Sequence, residues 1–334
     1  MENNDSLSNE DNLLTNYNTD IKSFWSTGAF SSFQGIDNIR INFATFCQPD
    51  NHKNLVIVQG RSESYIKYQE LIWDFFQQGY NIFILDHRGQ GLSERMLDNP
   101  HKGYVNDFDD YAADLNTFIN TYVLPYCSDQ NKPYLLAHSM GCAIACLYLI
   151  NHAVQIQAAV LSSPMFAINT GKLSPKLAHN LITLTSKLES TFANQACYFP
   201  GQKDHVFKAF KDNRLSHSEI RYQIFKNLYQ AEKSVQLGGV TIQWLKQAHQ
   251  IKDKIFNRLT SLSTPVIVLQ AGADSIVDNQ AQNEFCQLLH QQHPTLCTLD
   301  KPINIEGAWH ELFFEQDKYR QPAINHCLAW FSRY

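Results

Sequence analysis

Residues 137–141 read AHSMG, a serine with a small residue two positions to either side. A sharp turn from a strand into a helix needs that spacing, because larger side chains would collide where the chain reverses. Such a turn lifts the Ser139 hydroxyl above the carboxyl edge of a sheet, at a helix amino terminus. The flanks agree, since YLLAH precedes as a strand and CAIACLYLI follows as an apolar helix. Ser139 is therefore expected to be a nucleophile, the plainer alternative being a serine in a structural turn.

A serine hydroxyl needs a base, and the base needs an acid to orient it. For a serine on a strand–turn–helix the partners follow in the order acid, then His. AGADSIVDN places Asp274 just beyond a strand, and GAWHELFF places His310 just beyond the last one. Both positions lie where open parallel sheets gather their ligands. Asp278 is a rival acid four residues on, and a loop cap is the bland role for Asp274. For His310, one of 13 histidines, the bland role is bonding to a loop carbonyl.

The oxyanion formed on attack calls for two backbone N–H donors, each worth about 3–4 kcal/mol of barrier lowering. Met140, directly after the nucleophile, is expected to supply one. The loop QGRSES supplies the other, with Gly60 allowing close approach and Arg61 giving its N–H.

These residues need a frame. AFSSFQGI (29–36) and IRINFATF (39–46) read as an opening antiparallel pair. LVIVQG, NIFILDHR, YLLAHS and AAVLSSP are near-continuous apolar runs, as in strands buried on both faces of a parallel sheet. Between them fall helical patterns: Tyr68, Leu71, Ile72, Phe75, then Tyr111, Leu115, Phe118, Ile119, then the segment after Ser139. Alternating strands and helices imply a largely parallel sheet with helices on both faces. From 165 to 250 the strand pattern stops, and Leu173, Leu177, Leu181, Leu184, Leu188 and Phe192 form a helical stripe. Strands resume at PVIVLQAG (265–272) and near 298–306. The expected organisation is an acidic, disordered tail over 1–25, a core of 26–164 with 251–334, and a helical insertion over 165–250.

Composition narrows the function. The chain has 334 residues and a net charge of -5. All five excess negative charges fall in the first 21 residues, leaving no dominant basic face for nucleic acid. No apolar run is long enough to span a bilayer, and the amino terminus lacks the pattern of an export signal. A cytoplasmic setting with free thiols is therefore expected for the eight cysteines. There is no CxxC pair, and His101 has no ligand partners nearby, so no metal and no cofactor are assigned.

Six ordered segments, VQGRSESYIKY, LDHRGQGLSER, GYVNDFDDYAADL, LAHSMG, SSPMF and GAWHELFFE, together resemble the bacterial lysophospholipase branch of the α/β-hydrolases, with monoacylglycerol lipases as near relatives. The resemblance runs from about residue 28 to 334 and includes LSHSEIRY and VQLGGVTIQWL. It implies an α/β-hydrolase fold, a Ser139–Asp274–His310 triad and a lid at 165–250 over an acyl pocket. It also implies that His87 and Arg88 brace loops beside the site. Two departures stand out: Gln59-Gly60 replaces the usual His-Gly of the oxyanion loop, and Ala137 replaces the first glycine of the elbow.

The activity implied is hydrolysis of the acyl ester of a lysophospholipid. Monoacylglycerol or general ester hydrolysis is the alternative, followed by acyl transfer to a second lipid and by a non-catalytic binding fold. Arg61 stands where monoacylglycerol lipases carry a small residue. With Gly60 it is a candidate substrate-binding position, its guanidinium suited to a phosphodiester and a salt bridge with Glu63 being the plain alternative. The insertion carries 11 Lys/Arg against 5 Asp/Glu together with several aromatics. Such a face is suited to peripheral contact with an anionic membrane, the inner membrane in the expected setting, or is simply solvated.

Overall fold

The computed structural model describes residues 7–128, 131–152, 155–171, 175–193, 195–297 and 299–334. The strands are β1 (Ala29–Gln34), β2 (Arg40–Phe46), β3 (Lys53–Val58), β4 (Tyr80–Leu85), β5 (Tyr134–His138), β6 (Ala159–Ser162), β7 (Val266–Ala271) and β8 (Ile303–Ile305). They form one sheet in the order β1-β2-β4-β3-β5-β6-β7-β8. β1–β2 and β2–β4 pair antiparallel, and every later pair is parallel. Every residue of β4, β5, β6 and β7 is buried, which explains their unbroken apolar sequence. The last strand is shorter than the expected 298–306. Pro302, which has no N–H to donate, immediately precedes it, and residue 298 lies outside the described residues.

The main helices are α1 (Gln69–Gln77), α2 (Phe108–Phe118), α3 (Met140–Asn151), α4 (Pro175–Phe192), α5 (Glu219–Ala231), α6 (Ile242–Phe256), α7 (Asn279–Gln292) and α8 (Asp317–Phe331). One apolar core joins a sheet face to α2, α3, α6 and α7; a second joins the other face to α1 and α8. Helix α3 is buried from Met140 to Ile150, and its sequence is accordingly apolar all round rather than striped. Helix α2 starts at a capping box, with Asp107 accepting from Asp109 N.

The segment expected as a mobile acidic tail is ordered and packed from residue 7 onward; residues 1–6 lie outside the described residues. Leu7, Leu13, Ile21 and Phe24 are buried, and short helical turns cover Leu13–Trp25. Ser8 N donates to Asp74 Oδ1 at 2.9 Å, and Ser8 Oγ lies within hydrogen-bonding reach of Glu70 and Asp74. Those carboxylates are paired with Arg221 and Arg320. Glu10 accepts from Ser218 Oγ, and its N–H reaches Asp317. Ser8 and Glu10 thus join a buried ionic seam, while Asp11, Asn12, Asn18, Asp20 and Lys22 face solvent.

Between β6 and β7 the described residues hold α4, α5 and α6 with connecting turns. Helix α6 runs across the expected boundary at 250, because Trp244, Ala248, Ile251 and Ile255 all enter the first core. Leu173 lies outside the described residues.

Candidate active site

Strand β5 ends at His138, and α3 begins at Met140, so Ser139 alone makes the turn. It does so at φ 52°, ψ −116°, a left-handed conformation that costs a non-glycine residue about 1–3 kcal/mol. The neighbouring backbone holds it there. Ser139 N donates to Ser162 O at 3.0 Å, and Ser139 O accepts from Met165 N at 3.1 Å. A Cβ at Gly141 would lie 2.1 Å from Val58 O, which is why the turn requires glycine at that position. The methyl of Ala137 is fully buried in β5, so the elbow forms without the first glycine.

The three side chains singled out in the sequence come together. His310 Nε2 lies 2.8 Å from Ser139 Oγ, and His310 Nδ1 lies 2.7 Å from Asp274 Oδ2. Asp274 Oδ1 accepts from Ile276 N at 2.7 Å and from Val277 N at 3.2 Å. Burial alone would raise the Asp274 carboxyl, but its hydrogen bond and charge interaction with His310, aided by these backbone donors, hold it below its ordinary value. Ser139 and His310 are 6% and 4% exposed, so both side chains are largely buried. Asp278, the rival acid, caps α7 by accepting from Gln280 N and is not hydrogen-bonded to the imidazole.

The expected oxyanion donors flank the serine. Met140 opens α3, so its N–H has no acceptor within the helix. Across the site, Gly60 N donates to Glu63 Oε2 at 2.6 Å and Ser62 N to Gln90 Oε1 at 3.2 Å, leaving Arg61 N between two tethered neighbours. A Cβ on Gly60 would come within 3.3 Å of Ser139 Cβ and 2.9 Å of Glu63 Oε2, which places the loop directly beside Ser139. Gln59, the departure from His, donates to Asp86 Oδ1 at 2.6 Å, while His87 Nε2 lies 3.0 Å from Gln59 O. Burial lowers the His87 pKa to about 4, so the ring is neutral and its Nε2–H donates. Arg88 grips Asp114 through Nε at 2.7 Å and Nη2 at 2.8 Å. Both residues brace loops.

Behind the triad lies a charged group that motif reading missed. Glu63 accepts from Lys67 Nζ at 2.7 Å and Tyr68 Oη at 2.6 Å, and lies 3.1 Å from His138 Nδ1. Lys67 also reaches Glu311, and His138 Nε2 lies 3.3 Å from the His310 carbonyl oxygen. Burial would raise Glu63, yet Lys67 and His138 outweigh it and hold the carboxylate well below its usual range. His138 is drawn upward by Glu63 against its own burial. One carboxylate thereby ties the oxyanion loop to the residues beside both Ser139 and His310. The available signal was the spacing of Glu63 and Lys67 four apart, with His138 and Glu311 adjoining triad members.

Arg61 does not pair with Glu63. Its Nη2 donates to Gly238 O at 2.5 Å and Nη1 to Ser62 Oγ at 3.0 Å, with the guanidinium 5.2 Å from the Trp244 ring centre. The insertion also holds the site loops through Tyr229 Oη to Ser62 O, Glu311 N to Leu215 O, and the His217 ring packed 3.9 Å from the Trp309 ring.

All eight cysteines are free thiols, five of them buried, with Cys47 exposed and Cys127 and Cys197 partly so. A cavity of about 460 Å³ lined by Cys47, Asn51, Asn81 and Tyr126 opens at the amino ends of β3 and β4, the edge opposite Ser139.

Residues 49–317, which include Arg61, Ser139, Met140, Asp274 and His310, match the family described as serine aminopeptidase, S33. The chain belongs to that family. Among relatives of this S33 chain, Lysophospholipase L2 of Escherichia coli (strain K12) is 34% identical over 320 residues, covering 93% of this chain and 89% of the relative. Monoglyceride lipase of Rattus norvegicus is 26% identical over 285 residues, covering 84% and 82%. A crystal structure of a soluble variant of monoglyceride lipase from Saccharomyces cerevisiae, bound to a substrate analog, superposes with a TM-score of 0.67 at 17% identity, over 91% of this chain and 94% of that one. The S33 chain thus has the α/β-hydrolase fold, with its strand order and carboxyl-edge site.

Proposed function

We propose that the protein is a serine hydrolase that cleaves the single acyl ester of a lysophospholipid and releases a fatty acid. The hydrogen-bonded series Asp274–His310–Ser139, largely buried, carries this reading. The similarity to Lysophospholipase L2 over nearly the whole chain supports the substrate class. Ser139 Oγ attacks the carbonyl as His310 Nε2 takes its proton, while Asp274 fixes the tautomer and stabilises the imidazolium. The N–H groups of Met140 and Arg61 receive the oxyanion. His310 then protonates the leaving glycerol oxygen, and water activated by the same imidazole releases the acyl group. No cofactor enters this sequence.

Product analysis over lysophospholipids and monoglycerides of matched acyl chain tests the reading. Lysophospholipid kcat/KM is expected to exceed monoglyceride kcat/KM by about tenfold or more, roughly 1.4 kcal/mol of differential transition-state binding. Equal or reversed values would favour the monoglyceride lipase alternative, for which the rat relative speaks. A diacyl product would mark transacylation.

The insertion acts, in this proposal, as a lid that meets the membrane. Helix α4 presents Leu177, Leu181, Leu184 and Leu188 at 58%, 38%, 56% and 48% exposure, a stripe of leucines turned toward solvent. Lysines at 187, 203, 208 and 211 lie in the same insertion. Arg221 is not part of any such face, being buried in the seam with Glu70. No helix among the described residues is long and apolar enough to cross a membrane, so contact would be peripheral. Sedimentation with phosphatidylglycerol vesicles is expected to carry the protein down at low salt. Leu184→Asp with Leu188→Asp should weaken partitioning about tenfold or more. Sedimentation indifferent to anionic lipid, salt and these substitutions would remove the membrane role.

A further inference from the structure

Arg61 presents an electrostatic imbalance at the edge of the site. Its guanidinium has no carboxylate within ion-pair distance among the described residues, and its neighbours are a backbone carbonyl, a hydroxyl and an indole ring. Its Nε is fully buried and makes no hydrogen bond among the described residues. The fully buried arginines each have a carboxylate, Arg88 with Asp114, Arg221 with Glu70 and Asp317, and Arg320 with Asp74, whereas the part-buried Arg61 and Arg95 bond neutral groups. Desolvating a cation without a counter-charge is costly, and burial draws the pKa of Arg61 down to about 10. Among the described residues two of its five N–H donors make hydrogen bonds, so the planar fork keeps donors for an anion.

The position of this charge matters as much as its state. Arg61 lies in the loop beside Ser139, between Gly60 and Ser62, whose N–H groups are tethered to Glu63 and Gln90. In a lysophospholipid the ester carbonyl and the phosphorus are joined through a three-carbon glycerol unit, a span of about 6–7 Å. An arginine side chain covers a similar span between backbone and guanidinium. We propose that Arg61 is a phosphodiester-binding residue, its backbone meeting the oxyanion and its guanidinium meeting the headgroup phosphate of the same substrate molecule. The proposal rests on the lysophospholipase reading and deepens it. The Gly238 carbonyl and Trp244 hold the fork in place from the insertion side, and phosphate supplies the missing counter-charge.

The test compares Arg61→Met and Arg61→Lys with wild type on lysophosphatidylglycerol and on a monoacylglycerol of the same acyl chain. Methionine keeps an unbranched stem beside Trp244, and lysine keeps the charge without the fork. The ratio of lysophospholipid to monoglyceride kcat/KM is expected to fall about 30-fold in Arg61→Met and to recover in part in Arg61→Lys. Glycerophosphocholine should slow fluorophosphonate labelling of Ser139 in wild type and not in Arg61→Met. Equal losses on both substrates, with protection unchanged, would show Arg61 to be only a clasp for the insertion and would overturn the proposal. A wild-type enzyme that prefers the monoglyceride would defeat the substrate reading instead. The protection experiment would then still decide whether Arg61 binds a phosphodiester.

Discussion

Ser139→Ala is expected to lower kcat by on the order of 10⁶-fold while leaving the fold intact. The proposed attacking atom is the Oγ that lies 2.8 Å from His310 Nε2, and no other hydroxyl is hydrogen-bonded to that nitrogen among the described residues. Without it, His310 could only activate water, and the N–H groups of Met140 and Arg61 would still polarise the carbonyl. A residual rate of about 10³–10⁴ over the uncatalysed reaction is the expected floor. Alanine also suits the left-handed turn at φ 52° no worse than serine does, so stability should change little. Steady-state hydrolysis together with thermal unfolding separates loss of chemistry from loss of structure. Retention of more than a few per cent of wild-type kcat would assign the nucleophile elsewhere.

Asp274→Asn should lower kcat about 10⁴-fold with a much smaller change in KM. The geometry gives the reason. Asp274 Oδ1 is held by the N–H groups of Ile276 and Val277, so the asparagine carbonyl oxygen will keep that position. Its amide NH₂ then faces His310 Nδ1, which must become the acceptor. The ring proton moves to Nε2, and an Nε2 that carries a proton cannot take one from Ser139. Single-turnover kinetics on a chromogenic acyl ester reads the acylation step directly. A loss below tenfold would point to another acid, with Asp278 first in line. Since Asp278 caps α7, its own substitution should show mainly in stability.

Much of this was open to reading in the chain itself, for identifiable physical reasons. The elbow at 137–141 is legible because few residues fit a strand-to-helix reversal packed against Val58 O. Asp274 and His310 are legible because sheet order forces them to the same carboxyl edge as Ser139. The order of residues 7–25 is not legible in the sequence, since it comes from four dispersed apolar anchors and from partners such as Arg221 and Asp317 some 200–300 positions away. No local pattern reports such pairings. The Glu63–Lys67–His138–Glu311 group was hidden for the same reason: only the fold brings residue 311 to residue 67 at 2.6 Å. The boundary at 250 failed because α6 belongs to the insertion by sequence and to the core by packing.

The proposed chemistry depends on one alcohol made reactive by one imidazole. Fluorophosphonate labelling followed by peptide mass spectrometry tests it most directly. The adduct is expected on Ser139 in the wild-type chain, and labelling is expected to disappear in Ser139→Ala and to slow severely in Asp274→Asn. An adduct on a different residue, or equal labelling of wild type and Ser139→Ala, would contradict it.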